Sequence, residues 1–182
     1  MGVFPYKRIV IIGATGSGKS TLAMRIANKL RLDFIELDAL HWEPDWKEAE
    51  TDMFLARVEA AIQSPGWVVA GNYSKARHLI WTKAEVVIWL DYPLPIVFWR
   101  LLARTIRRSV CQEELWNGNR ETLGRFLRFW SRDSLIYWLF KTYWARKREF
   151  PVLLSPPGYE RLKVFHFKSP RELERWLKSM AQ

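Results

Sequence analysis

Gly13-Ala14-Thr15-Gly16-Ser17-Gly18-Lys19-Ser20 has the form G-x-x-x-x-G-K-[ST], the Walker A phosphate loop. Before it runs Arg8-Ile-Val-Ile-Ile12, a short β-branched stretch that ends at a glycine, as a buried parallel strand does. After it runs Ser20 to Leu30, where Leu22, Ile26 and Leu30 recur every four residues, a helical spacing. Strand, loop and helix follow one another, and that order is the context the motif requires.

A di- or triphosphate is best met by several backbone N–H groups converging on it, and glycine lets the chain curl closely enough to supply them. The helix that begins at the loop adds the positive end of its dipole. Gly13 through Ser20, with Thr21 behind them, are therefore the expected phosphate-binding residues. Within that set the Lys19 ammonium belongs on the β- and γ-phosphates and the Ser20 hydroxyl on Mg²⁺.

The chain of 182 residues is expected to be one domain over 1–182, long enough for a sizeable core. Its 49% hydrophobic and 26% charged content is that of a globular protein, not a disordered one. The first strand starts at Arg8, so no signal peptide is expected, and no apolar run approaches the roughly 18 residues a spanning helix needs. Cys111 is alone and cannot form an internal disulfide, which makes the cytoplasm the expected location. The net charge of +10 suits anionic partners: phosphate compounds, nucleic acid or an anionic membrane surface. Much of that excess lies between Arg100 and Arg148, where arginine alternates with aromatic residues.

Beyond the first helix, Asp33 to Asp38 reads as a second strand, with Glu36 and Asp38 at the carboxyl end where a doubly wound sheet opens onto its ligand crevice. Ala39 to Trp46, broken at Pro44, has the aromatic and polar mixture of a substrate loop. Glu48 to Ser64 is predicted helical, Trp67 to Ala70 a third strand, Lys75 to Trp81 a helix, and Glu85 to Asp91 a fourth strand. Leu94 to Arg108 follows as a helix with Leu94, Phe98, Leu101 and Leu102 inward; Arg100, Arg104 and Arg108 lie four apart on one stripe. The polar stretch Ser109 to Asn119 is expected to be a loop over the site. Arg120 to Glu149 is again helical, with a break near Ser131 to Ser134, with Phe126, Trp130, Tyr137 and Trp144 on one face and Arg125, Arg128 and Arg132 on another. Ser155-Pro-Pro-Gly158 is a turn, Lys163 to Phe167 a fifth strand, and Ser169-Pro170 opens a terminal helix. Alternating strands and helices argue for a parallel α/β sheet.

With the Walker A loop, the spaced acids Glu36-Leu-Asp38 and the segment Leu90-Asp-Tyr-Pro through Arg104, the chain resembles the small P-loop kinases, among them adenylate, shikimate and gluconate kinases. Within that group His41-Trp42, Gly71-Asn-Tyr-Ser74 and Glu114 to Arg120 look like a bacterial adenylate-kinase-like subfamily, also called DNA topology modulation proteins. The resemblance implies a P-loop NTPase fold: a three-layer α/β/α sandwich with a five-stranded parallel sheet and a helical lid near 109–125. It implies ATP with Mg²⁺, and transfer of the γ-phosphoryl group to a small-molecule acceptor, a nucleoside monophosphate or a small hydroxylated metabolite. By position, Arg100 would stack on the adenine with Pro170 on its other face, and Arg104 would reach the phosphates. Arg120, then Arg125 or Arg128, would close over the transferring group. Glu36 would hold water on the metal with Ser20, and Asp38 would orient or deprotonate the acceptor hydroxyl. One departure stands out: strand three ends in Ala70, where an acid often sits in these kinases.

A competing reading is a non-catalytic or weakly ATP-hydrolysing nucleotide-binding protein that contacts nucleic acid through the basic aromatic segment. The two readings differ on Trp130, Tyr137 and Trp144, which are inward if the segment is lid and core and outward if it is a stacking platform. No membrane attachment is expected, because the segment does not divide cleanly into two faces. Oligomeric state is open.

Overall fold

Five short runs of apolar, mostly β-branched residues pair side by side into one sheet, and their alternation decides which helices cover each face. In the computed structural model, which describes residues 4–121, 134–155, 159 and 161–180, the strands are β1 (Arg8–Gly13), β2 (Asp33–Glu36), β3 (Trp67–Ala70), β4 (Val86–Leu90) and β5 (Lys163–Phe167). Their order is β2-β3-β1-β4-β5, and every pairing is parallel. The helices are α1 (Lys19–Leu30), α2 (Leu37–His41), α3 (Thr51–Ala61), α4 (Ser74–Trp81), α5 (Leu94–Val110), α6 (Leu135–Leu153) and α7 (Pro170–Ser179).

Successive side chains of a strand leave on opposite faces, and the core divides accordingly. Ile9, Ile11, Val68, Val86 and Ile88 pack with residues of α1, α5 and α7. Val10, Ile12, Val69, Val87 and Trp89 pack with Phe54 and Val58 of α3 and Ile80 of α4. The result is the expected three-layer sandwich. One helix serves both layers: in α6, Ile136, Leu139 and Tyr143 join the first cluster, while Phe150 joins the second. The stretch between Tyr143 and Phe150 therefore crosses the end of the sheet. It crosses at the carboxyl end, since the Tyr143 hydroxyl donates to the Tyr92 carbonyl (3.1 Å) and Lys147 pairs with Asp91 (3.3 Å), just beyond β4.

Several expectations are corrected. The second strand stops at Glu36, and Asp38 lies in the first turn of α2; Leu37, buried against Gly71, drives the turn inward where a continuing strand would leave the sheet. Part of the expected substrate loop is thus helical, with a 3-10 turn at Pro44–Trp46 after it. The next helix begins at Thr51 rather than Glu48, because Glu48 bridges to Trp42. On α5 the fully buried positions are Val97, Leu101, Thr105 and Ser109; Leu94, Phe98 and Leu102 flank them.

The aromatic face of α6 also differs. Its buried residues are Ile136, Leu139, Tyr143 and Phe150, whereas Trp144 is 57% exposed and Tyr137 half-buried. The helix is oriented by its aliphatic stripe, and Trp144 lies off it. Phe126, Trp130, Arg125, Arg128 and Arg132, the expected break before Ser134 and the turn at Pro156 to Gly158 lie outside the described residues. Among the described residues, no helix is long and apolar enough to cross a membrane.

Candidate active site

The phosphate loop is built at the junction of β1 and α1 and is held from both sides. Gly13, Gly16 and Gly18 all have positive φ (150°, 85° and 93°), which L side chains adopt at a cost. A Cβ on Gly16 would stand 2.4 Å from the Val97 carbonyl, and one on Gly13 would stand 2.6 Å from the Leu90 carbonyl. Asn72, just past β3, grips Gly13 through both backbone groups: its Oδ1 accepts from the Gly13 N–H (3.2 Å) and its Nδ2 donates to the Gly13 carbonyl. Ala14 and Ser17 are buried, Thr15 is half-buried, and Thr21 is exposed one position past Ser20. The Ser17 hydroxyl is buried without a partner among the described residues. Lys19 curls back over the loop, donating to the Gly13 (3.1 Å) and Ala14 (3.0 Å) carbonyls. A cradle that a Cβ would fill, with an ammonium across it, fits a polyphosphate.

Beside the loop stand the two acids. Burial, then the neighbouring Asp38 charge, raise the Glu36 carboxyl to about 7, against the pull of a hydrogen bond from the Ser20 hydroxyl. Ser20 and Glu36 are thus in direct contact, and both line an open cleft of about 670 Å³ bordered by Met24, Phe34, Leu40 and Trp116. Among the described residues no group of three or more His, Cys, Asp or Glu side chains could hold a metal ion. One hydroxyl and one carboxylate match magnesium, which keeps most of its waters and takes further oxygens from phosphate. Asp38 accepts a 2.6 Å hydrogen bond from the Tyr73 hydroxyl. Ala70, at the end of β3, is fully buried and supplies no acid.

The cations converge from three elements. Burial, then the Arg146 charge, lower the Lys19 ammonium to about 8, while Asp38 and Glu36 pull it upward and Arg104 downward. Lys19, Glu36, Asp38, Arg104 and Arg146 are therefore one electrostatic cluster. Arg104 and Arg146 are both pushed below the usual guanidinium range, chiefly by burial, and stay charged. Nη1 of Arg146 is buried without a partner among the described residues. It is carried there by the part of α6 that crosses the sheet end.

Arg104 and Arg108 share Glu121, at 3.8 and 2.9 Å. Arg100 lies over the Tyr92 ring, 5.4 Å from its centroid, with Nη1 3.4 Å from the Ser17 carbonyl. Pro170 occupies the first turn of α7, behind Ser169, whose hydroxyl accepts from the Glu172 N–H at 3.3 Å. Arg120 does not join the cluster: it is exposed and pairs with Glu114 at 3.6 Å.

The loop after α5, with a 3-10 turn at Trp116–Gly118, is fastened to the segment after α2. Asn117 Nδ2 donates to the Trp42 carbonyl, Asn119 Nδ2 to the Glu43 carbonyl (2.9 Å), and the Trp46 indole to the Arg120 carbonyl (3.2 Å). Asn72, Tyr73, Arg146, Glu121 and these asparagine contacts were not assigned site roles by the motifs. Gly71-Asn-Tyr-Ser74 and Asn117-Gly-Asn119 did signal turns, but their partners lie over 30 residues away.

The family model described as shikimate kinase matches residues 15–128. The chain belongs to the shikimate kinase family. A shikimate kinase from Sulfurihydrogenibium sp. (strain YO3AOP1) is 30% identical over 111 residues, which cover 52% of this chain and 66% of that relative. The match thus spans just under two thirds of the relative's length. Two solved structures share the fold. Shikimate kinase from Bacteroides thetaiotaomicron has a TM-score of 0.56 at 16% identity, covering 96% of each chain. A gluconokinase from Sinorhizobium meliloti 1021 has a TM-score of 0.52 at 22% identity, covering 99% of this chain and 94% of its own. These matches leave the adenylate-kinase-like subfamily as a resemblance of the short motifs alone.

Proposed function

We propose that the protein is an ATP-dependent small-molecule kinase whose acceptor is a small hydroxylated acid. The observation that carries this reading is that Lys19, Arg104 and Arg146 all lie close enough to feel the Asp38 charge beside the phosphate loop, Lys19 and Arg104 feeling Glu36 as well. Family membership supports the reaction class. Arg146 supports the acceptor class: a half-buried guanidinium whose buried Nη1 has no partner among the described residues, close to Asp38, suits a carboxylate on a molecule whose hydroxyl meets Asp38.

In this reading Gly13 to Thr21 hold the ATP phosphates, Arg100 and Pro170 flank the adenine, and Ser20 and Glu36 hold magnesium. Magnesium, when bound, neutralises phosphate charge and orients the β- and γ-oxygens. Asp38 takes the proton of the acceptor hydroxyl as its oxygen bonds to the γ-phosphorus; the bond to the β,γ-bridging oxygen breaks, and ADP leaves. Lys19 and Arg104 neutralise the oxygens of the group in transit, the main electrostatic contribution to such transfers. The Asn117 and Asn119 contacts hold the lid over the acceptor side, excluding water. Arg120 acts in closure by leaving Glu114 for the phosphoryl group. We place the protein in the cytoplasm, where ATP is available.

The test is ADP release with Mg-ATP against shikimate, gluconate, other hydroxylated acids, sugars and nucleoside monophosphates, with Lys19→Ala as control. Acceptor-dependent turnover with a hydroxylated acid, abolished in the control, is the expected result. Turnover with nucleoside monophosphates alone would overturn the acceptor assignment, and ATP binding without any acceptor-dependent turnover would overturn the kinase reading.

A further inference from the structure

The acid assigned to the acceptor hydroxyl is itself held by a residue that the phosphoryl-transfer chemistry does not call on. Tyr73 sits between Asn72, which grips the phosphate loop, and α4. Its hydroxyl donates to Oδ1 of Asp38 at 2.6 Å, 35 residues away in sequence. The ring cannot swing freely: the His41 imidazole lies 4.5 Å from its centroid and the Phe54 ring 5.1 Å. His41 is itself wedged against Phe54 at 5.2 Å and Trp42 at 5.0 Å. A boxed phenol is thus aimed at one oxygen of a carboxylate that stands in the first turn of a five-residue helix.

We propose that Tyr73 is a positioning residue for phosphoryl transfer, holding Oδ1 of Asp38 so that Oδ2 is presented to the acceptor hydroxyl. This rests on the role given to Asp38 above. The chemistry favours a fixed donor over a second acid or base. Burial, then the Asp38 charge, push the Tyr73 phenol far above its ordinary range, so it keeps its proton and remains a donor throughout the cycle. A short hydrogen bond to a charged oxygen is among the stronger neutral-to-ion contacts, and it restricts the carboxylate's rotation about χ2. Transfer rates depend steeply on such orientation. Because Tyr73 adjoins the residue that clamps Gly13, the acceptor-side acid and the phosphate loop are referenced to one short segment at the end of β3.

A double-mutant cycle tests this, using Tyr73→Phe, which keeps the ring and its packing, and Asp38→Asn. The rates read are transfer to shikimate and, where shikimate accepts nothing from the wild type, hydrolysis of Mg-ATP. Tyr73→Phe is expected to lower kcat about tenfold with the KM for ATP within about twofold, since it disturbs orientation and not nucleotide binding. In the Asp38→Asn background the same change should alter kcat by less than about twofold. Equal losses in both backgrounds, or no loss in either, would overturn the proposal, because a general packing defect does not depend on the Asp38 carboxylate. If Asp38→Asn alone keeps the wild-type rate, the assignment of Asp38 falls first and Tyr73 with it.

Discussion

Asn119 and Trp46 meet across 73 residues: the Trp46 backbone N–H donates to Oδ1 of Asn119 at 2.7 Å. The same amide donates to the Glu43 carbonyl, so one side chain joins the loop after α5 to the segment after α2 in both directions. Trp46 has positive φ (57°), and so does Asn117 (56°), two residues before Asn119, whose own backbone is extended (φ −70°). Replacing Asn119 with alanine leaves these groups to water, at about 1 kcal/mol per bond. The expected outcome is faster amide hydrogen exchange over residues 113–121 and a higher KM for the acceptor.

Arg146→Ala should separate the two substrates. Among the described residues its Nη1 has no partner, and it lies near Asp38, so its removal is expected to raise the KM for an acidic acceptor by about 100-fold, the worth of one charge-assisted pair. The KM for ATP should stay within about threefold, and steady-state kinetics with each substrate varied gives both numbers. Thermal stability should hold or rise, because a poorly compensated charge leaves the interior.

Glu36 makes stability depend on pH. Its folded value of about 7 lies above the ordinary 4.5, so the folded state holds a proton that the unfolded state has released between those values. Stability from this group is fully present below pH 4.5, is lost as pH rises through about 7, and is absent above it. Glu36→Gln should therefore flatten the profile: without metal, the wild type is expected to lose about 2 kcal/mol relative to the variant between pH 5 and 8. Urea unfolding at a series of pH values reads the difference.

Gly16→Ala tests the seat of the phosphate loop. The new Cβ would meet the backbone carbonyl of Val97 at 2.4 Å, which no side-chain rotation relieves, and φ is +85°. A loss of about 2–4 kcal/mol in unfolding free energy and of ATP binding is expected, measured by denaturation and by titration calorimetry. Gly118→Ala, at φ +79° with open space around the new carbon, should cost only about 1 kcal/mol.

How far the sequence is legible follows the range of the interactions. The β1, phosphate loop and α1 unit is encoded in consecutive residues, and the five strands coincide with apolar runs to within about one or two residues. The end of β2 is not marked in the sequence, because Leu37-Asp38 continues the mixed polar and apolar run of Asp33 to Glu36, while the reason for the turn, the packing of Leu37 on Gly71, lies 34 residues on. The role of Arg104 at the phosphates comes from the resemblance and not from its spacing; in the structure its charge acts on Lys19. Arg146 sits in a basic run, Arg146-Lys-Arg148, whose members look alike until α6 is laid across the sheet end. Arg120 pairs with Glu114, bridged to it across the loop, a contact that depends on how the loop turns and not on the spacing of the two residues.

The grip of Asn72 on Gly13, together with the walls that Leu90 and Val97 set against the glycines, has a thermodynamic consequence. The loop's conformational entropy is surrendered when the chain folds, so docking a polyphosphate there orders almost no further backbone. The asparagine-fastened segments, by contrast, are joined through a few hydrogen bonds near the surface and hold their shape at small free energy. Nucleotide and acceptor should consequently bind with different calorimetric signatures, the first close to lock-and-key and the second accompanied by an unfavourable entropy of ordering.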